Sequence, residues 1–266
     1  MTRFRDHSRL EGAAAAEQLA DTSLLLIGPL ILLSLLAALF HLGSPQNAWL
    51  ALSNLRRSWL SREVLFALLF TGFGGMFAIA QWLRFGEVPA RALLAGLTAL
   101  SGIALVYCMG RIYMLRTVPA WNSWSTLASF VVAGLLLGSL GLGMTLVAQS
   151  AMVAGAPQNY YAAALNWLGG LALLLLVVEF GLIPWTIARL ADRPASSRLN
   201  RPLSQIYLLR IVPLLLGVAL AGVVFFSPGA LDRYVAFLIT AVACGLALFS
   251  EVFGRFLFYE SRRPLL

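Results

Sequence analysis

Six ionisable side chains stand inside or against apolar runs, where charge is rare. His41 closes the run from Leu24 to Phe40 and opens "HLGSP". Glu63 lies in "WLSREVLF", Arg111 in "YCMGRIYML", Glu179 in "LLLVVEFGLIPW", and Glu251 and Arg255 in "SEVFGRFLFYE". An uncompensated charge in such a run is expensive, so these positions mark pathways, sites or internal pairs. Glu251 and Arg255 are four residues apart and share a helix face as an expected structural ion pair, with Tyr259 one turn further along the same stripe. An interhelix clamp and a functional site are both open to that pair. Glu179 is about two and a half turns before the basic end of its run, too deep for a loop charge, and a partner among the buried arginines is expected.

His41 has three possible roles: metal or haem ligand, proton acceptor, or helix-end residue bonded to a carbonyl. Haem is disfavoured, because a bis-histidine site needs two imidazoles within spans and the second histidine, His7, falls in a polar stretch. Cys108 and Cys244 have no Cys or His at ligand spacing and read as small buried hydrophobes, so no metal is expected on this chain. Glu63 follows Ser61 at the start of an apolar run, where a capping hydroxyl and an early carboxylate suit the helix dipole. Alternatively, antiparallel packing of two successive spans brings His41 and Glu63 to one membrane face. The segment between them contains Trp49, Trp59 and three arginines, a composition suited to the interfacial layer. A carboxylate and an imidazole beside aromatic rings there suit an amphipathic ring compound that loses protons on oxidation, such as a quinol.

The elements that must position these groups are membrane helices. Of the 266 residues, 60% are hydrophobic and 11% charged, which excludes an ordinary soluble domain. Windows of about 20 apolar residues lie near 22–41, 63–83, 92–115, 123–150, 160–188, 206–227 and 232–258. The expected fold is therefore an all-α integral membrane bundle of about seven transmembrane helices, the count of those windows. The runs are continuously apolar rather than alternating, which excludes a β-barrel. Gly72, Gly74, Gly75, Gly134, Gly138, Gly141 and Gly143 suit close helix packing. Residues 1–21 are polar and Ala-rich, lack the pattern of a secretory signal, and read as an extramembrane segment; 22–260 form the anchor domain and 261–266 a short tail.

All 19 basic residues are arginine. That suits fixed charges pairing with carboxylates or anionic lipid headgroups, and no nucleic-acid partner is expected. With seven spans, Arg56, Arg57, Arg62, Arg116, Arg189, Arg193, Arg198, Arg201, Arg262 and Arg263 share one side, which the positive-inside rule assigns to the cytoplasm.

Several motifs together resemble the anchor subunits of the dimethyl sulfoxide reductase type, the DmsC family. They are "HLGSP" followed by Ala48, Leu52 and Asn54; "SWLSRE" entering the second span; "RIYMLRTVPAWNSWST"; and the closing "EVFGRFLFYE". The resemblance covers most of residues 22–260. It implies a haem-free subunit of the bacterial cytoplasmic (inner) membrane that binds and oxidises menaquinol. Electrons would pass to a four-cluster iron–sulfur subunit, with a molybdopterin catalytic subunit completing an anaerobic respiratory complex. His41 and Glu63 align with the family's quinol-site histidine and glutamate, Arg111 and Tyr113 would line or orient that site, and Arg56, Arg57 and Arg116 are candidates for docking the soluble subunits. Lipid binding by those three arginines is an equal alternative on charge grounds.

Members of that family usually have eight spans, so the chain is expected to lack the usual first one, with residues 1–21 in its place. Family members also place the HLGSP loop on the periplasmic face, opposite to the arginine count. A related alternative is the polysulfide reductase type of quinol anchor, which the HLGSP and closing motifs disfavour. A secondary transporter would show repeated halves with interrupted helices, and Pro29, Pro184 and Pro213 do not occupy corresponding positions. In a third alternative, a purely structural tether, His41 and Glu63 would be helix-end residues only.

Overall fold

The computed structural model describes residues 45–119, 121–152, 158–191 and 201–260, with seven further residues between 21 and 33. A 3-10 helix, Pro45–Leu52, precedes six α-helices: α1 Trp59–Trp82, α2 Val88–Tyr113, α3 Trp124–Met152, α4 Gln158–Ala191, α5 Arg201–Phe226 and α6 Arg233–Glu260. All six are long and apolar enough to cross a membrane, which makes this a multi-pass membrane protein. They match the last six of the seven expected spans. Most of the first, 22–41, lies outside the described residues, as do His41, most of the polar segment 1–21 and the tail 261–266.

Local chemistry sets the helix ends. The Ser58 hydroxyl accepts the Ser61 amide at 3.2 Å and caps α1. The cap is thus Ser58 and not Ser61, and Glu63 lies beyond the first turn, where it satisfies no end amide. Asp232 caps α6 by accepting the amides of Tyr234 at 2.9 Å and Val235 at 3.3 Å. Between α1 and α2 the chain reverses through two positive-φ residues, Arg84 (51°) and Gly86 (81°).

The chain divides into two compact units, Met1–Ile112 and Tyr113–Leu266. In the first, α1 and α2 touch where a Cβ on Gly102 would stand 3.1 Å from the Phe70 ring and one on Gly74 would stand 3.4 Å from Thr98. In the second, α3 to α6 form an antiparallel bundle, with Arg210 of α5 against Gly254 of α6 and Gly217 against Ala243 and Ala247. Its core is Leu136, Leu140, Leu214, Val218, Phe225, Ala243 and Ala247, each at most 1% exposed.

Candidate functional site

In the first unit the chemistry gathers where α1 begins and α2 ends. Trp59 is held between two guanidinium groups, with Arg62 Cζ 4.3 Å and Arg111 Cζ 4.9 Å from the ring centre. Tyr107 meets the same indole edge-on, with the ring centres 5.8 Å apart. Arg62 is fixed in place by donating to the carbonyls of Leu55 at 2.9 Å and Arg56 at 2.8 Å, which ties the turn before α1 to the helix itself. Glu63 follows Arg62, is half-buried, and lies within electrostatic reach of Cys108 on α2. Among the expected quinol-site residues, Glu63 and Arg111 both lie where α1 begins and α2 ends: Arg111 meets the Trp59 ring, and Glu63 is one residue beyond Arg62. A half-buried carboxylate at the same helix end as two cations and an indole has the chemistry to accept a proton from a ring hydroxyl, with aromatic faces near to hold the ring. Arg56 and Arg57 are exposed in the turn just before it.

Tyr113 belongs to the second unit. Its ring stacks on Phe130 with centres 5.4 Å apart and meets Trp121, Phe258 and Tyr259 edge-on. Its hydroxyl is 2.7 Å from that of Tyr259, and the Trp121 indole N–H donates to the Phe258 carbonyl at 2.8 Å. This cage occupies the end of the bundle where α3 begins and α6 ends, because "WNSWST" turns sharply: the Thr126 hydroxyl bonds the Trp121 carbonyl and the Ser123 hydroxyl accepts the Ser125 amide. Arg116 is exposed in the turn leading to it.

Deeper in the same end lie the buried charges. Glu179, 1% exposed, is bonded to Arg210 of α5. Glu251 and Arg255 share the α6 face that their spacing predicts, but the expected ion pair between them is not made. The Arg255 guanidinium instead reaches across to α3 and lies 3.6 Å over the Phe130 ring. An arginine side chain is long enough to choose a neighbouring aromatic face over its own helix's carboxylate. Glu179 does find a buried arginine, and it is Arg210. That residue carried a legible signal in "LLRIVPLLL", a single charge in an apolar run, although the spacing arguments centred on other positions. The aromatic cage was less legible, because its members come from three separate stretches. Among the described residues, no group of His, Cys, Asp and Glu side chains could hold a metal ion.

The family described as "DMSO reductase anchor subunit (DmsC)" matches residues 12–260. One subunit of the sulfite dehydrogenase of Allochromatium vinosum is 29% identical over 159 residues, 56% of this chain and 48% of that protein. One subunit of the anaerobic dimethyl sulfoxide reductase of Haemophilus influenzae is 30% identical over 106 residues, 38% of each of the two proteins. Its Escherichia coli counterpart is 32% identical over 114 residues, 41% of this chain and 40% of that one. The matched stretches thus span less than half of these relatives. No solved structure matches. With nearly the whole length covered by one family description and six apolar helices in place, the chain belongs to the DMSO reductase anchor subunit (DmsC) family.

Proposed function

We propose that this chain is the quinol-oxidising membrane subunit of a molybdoenzyme reductase complex in the bacterial inner membrane. Menaquinol would bind at the beginning of the second expected span, where Glu63 receives its protons and Arg111 orients the ring; the family resemblance makes His41 a further proton acceptor and Tyr113 a further orienting candidate. Oxidation of one quinol releases two protons to these acceptors and two electrons to a four-cluster iron–sulfur subunit, which passes them to a molybdopterin catalytic subunit during anaerobic respiration. Arg56, Arg57 and Arg116 would bind the soluble subunits electrostatically.

The observation that carries this reading is the junction at Trp59. Glu63 has no capping duty, and at the same span end Arg62 and Arg111 approach the Trp59 ring, which suits a planar, proton-releasing substrate more than a structural tether. The test is to isolate the chain with its partners from native membranes and add a reduced menaquinol analogue. Iron–sulfur reduction is expected, and Glu63→Gln should slow it by about 100-fold, the scale of a lost acid–base group, with complex yield unchanged. Unchanged reduction rates would remove Glu63 from the site.

A second reading is favoured by the 159-residue match to a sulfite dehydrogenase subunit, whose name describes electrons leaving the substrate. The same site would then reduce a quinone. Pre-reduced clusters that reoxidise on adding quinone, together with clusters inert to quinol, would select this direction.

A further inference from the structure

The bundle of α3 to α6 encloses two carboxylates and two guanidinium groups, yet closes only one ion pair between them among the described residues. Glu179 holds Arg210, while Arg255 is turned onto Phe130. Glu251, 7% exposed, keeps an Oε1 with no hydrogen-bonding partner among the described residues. A clamp selected for stability would pair both carboxylates, because a buried charge left alone costs several kcal/mol. Intramembrane carboxylates left open in this way are the ones that carry protons in membrane proteins.

The surroundings are built to keep that opening. Gly254 lies one turn beyond Glu251, and a Cβ there would come within 2.9 Å of Arg210 Nε, so the glycine lets the guanidinium lie flat against α6. The Ser250 hydroxyl bonds the Arg210 backbone carbonyl, which fixes α5 against the same face. The titratable and charged groups around Glu251 are Glu179 from α4, Tyr207 and Arg210 from α5, and Arg255 and Tyr259 from α6; α3 presents Phe130 and carries no titratable group. Glu251, Arg255 and Tyr259 follow one another at four-residue steps, roughly 6 Å each along the axis. The stripe runs from the buried carboxylate to the Tyr259 hydroxyl, half-exposed at the bundle end and 2.7 Å from that of Tyr113.

We propose that Glu251 is a proton-exchange site of this bundle, filled and emptied from the membrane face where Tyr113 and Tyr259 meet. On filling, an O–H bond of a hydronium ion at that face breaks, its proton bonds to Glu251 Oε1, and a water molecule is left. On emptying, that O–H bond breaks, the proton returns to water, and the Arg255 guanidinium, released from Phe130, balances the carboxylate. No electron is transferred, and the exchange at Glu251 needs no quinol, although its mouth includes Tyr113, a quinol-site candidate above.

The full chain in lipid nanodiscs, without quinol, decides this by infrared difference spectroscopy across a pH titration. A carboxylic C=O band that titrates reversibly and shifts in heavy water is expected in the wild type. It should be lost in Glu251→Gln and moved in frequency but retained in Glu251→Asp. Arg255→Leu should alter its titration midpoint. A band identical in wild type and Glu251→Gln would overturn the proposal and leave a structural cluster. Where Glu251→Gln does not fold, an unmoved band in Glu251→Asp overturns it equally, and so does a folded wild type with no titrating carboxyl band.

Discussion

The two units are made of equally apolar helices and use them in opposite ways. The buried positions are Ser61, Ala80 and Gln81 on α1 and Ser101, Cys108 and Gly110 on α2. Large residues such as Leu60, Met76, Ile79, Leu100 and Ile103 stay on the outside. The four-helix unit instead buries Leu136, Leu140, Phe225 and a charged cluster. The contrast shows that hydropathy decides only that a segment crosses the membrane. Lipid is as apolar as leucine, so burial follows from where backbones can approach and polar groups can pair. The helix pair places its chemistry at the interface around Trp59, and the bundle places charges within the span.

The comparison would break most sharply at Arg210. Arg210→Ala leaves Glu179 buried without its cation, and a loss of about 3–5 kcal/mol is expected, read as a large drop in thermal stability in detergent. No single substitution on the exposed faces of α1 or α2 should approach this. Next is a pair of glycines. A side chain on Gly143 would overlap the Phe225 ring, so Gly143→Val should cost about 1–3 kcal/mol by overpacking. Gly75 meets nothing nearby, and Gly75→Val should change the melting temperature little. Equal effects at the two glycines would erase the distinction between the units.

Smaller effects sharpen the comparison. Tyr113→Phe removes one hydroxyl of the Tyr113–Tyr259 pair and should cost about 1 kcal/mol, measurable in the same melts. Trp59→Leu removes the ring between Arg62 and Arg111. Each contact of this kind contributes about 0.5–1 kcal/mol at an exposed site, so stability should fall modestly while affinity for a menaquinol analogue, measured by titration, falls further. A proportionate fall in both would make Trp59 a packing residue only.

The charged positions within the spans were legible because rarity is informative in an apolar sequence. Glu63, Arg111, Glu179, Glu251 and Arg255 stand out against their surroundings, and helical periodicity puts the last two on one face. Partners were not legible. Arg111 and Arg255 were the buried arginines singled out as able to answer Glu179, and the crossing of α4 with α5 selects Arg210 instead. The cap of α1 is Ser58 because that hydroxyl, and not Ser61's, precedes the first helical residue; a sequence with three serines at 53, 58 and 61 offers no way to choose.

By itself, then, the sequence determined the class of protein, the number and position of the described spans, and the family, since all three depend on composition and on motifs contiguous along the chain. Tertiary structure alone decided that Arg255 turns to Phe130 and not to Glu251, that Tyr113 joins a cage with Trp121 and Phe258, and that Gly254 makes room for Arg210. These contacts join residues from different helices. The energies that choose among them depend on interhelical distance and on the few polar groups within reach, and neither is written in the periodicity of any one segment.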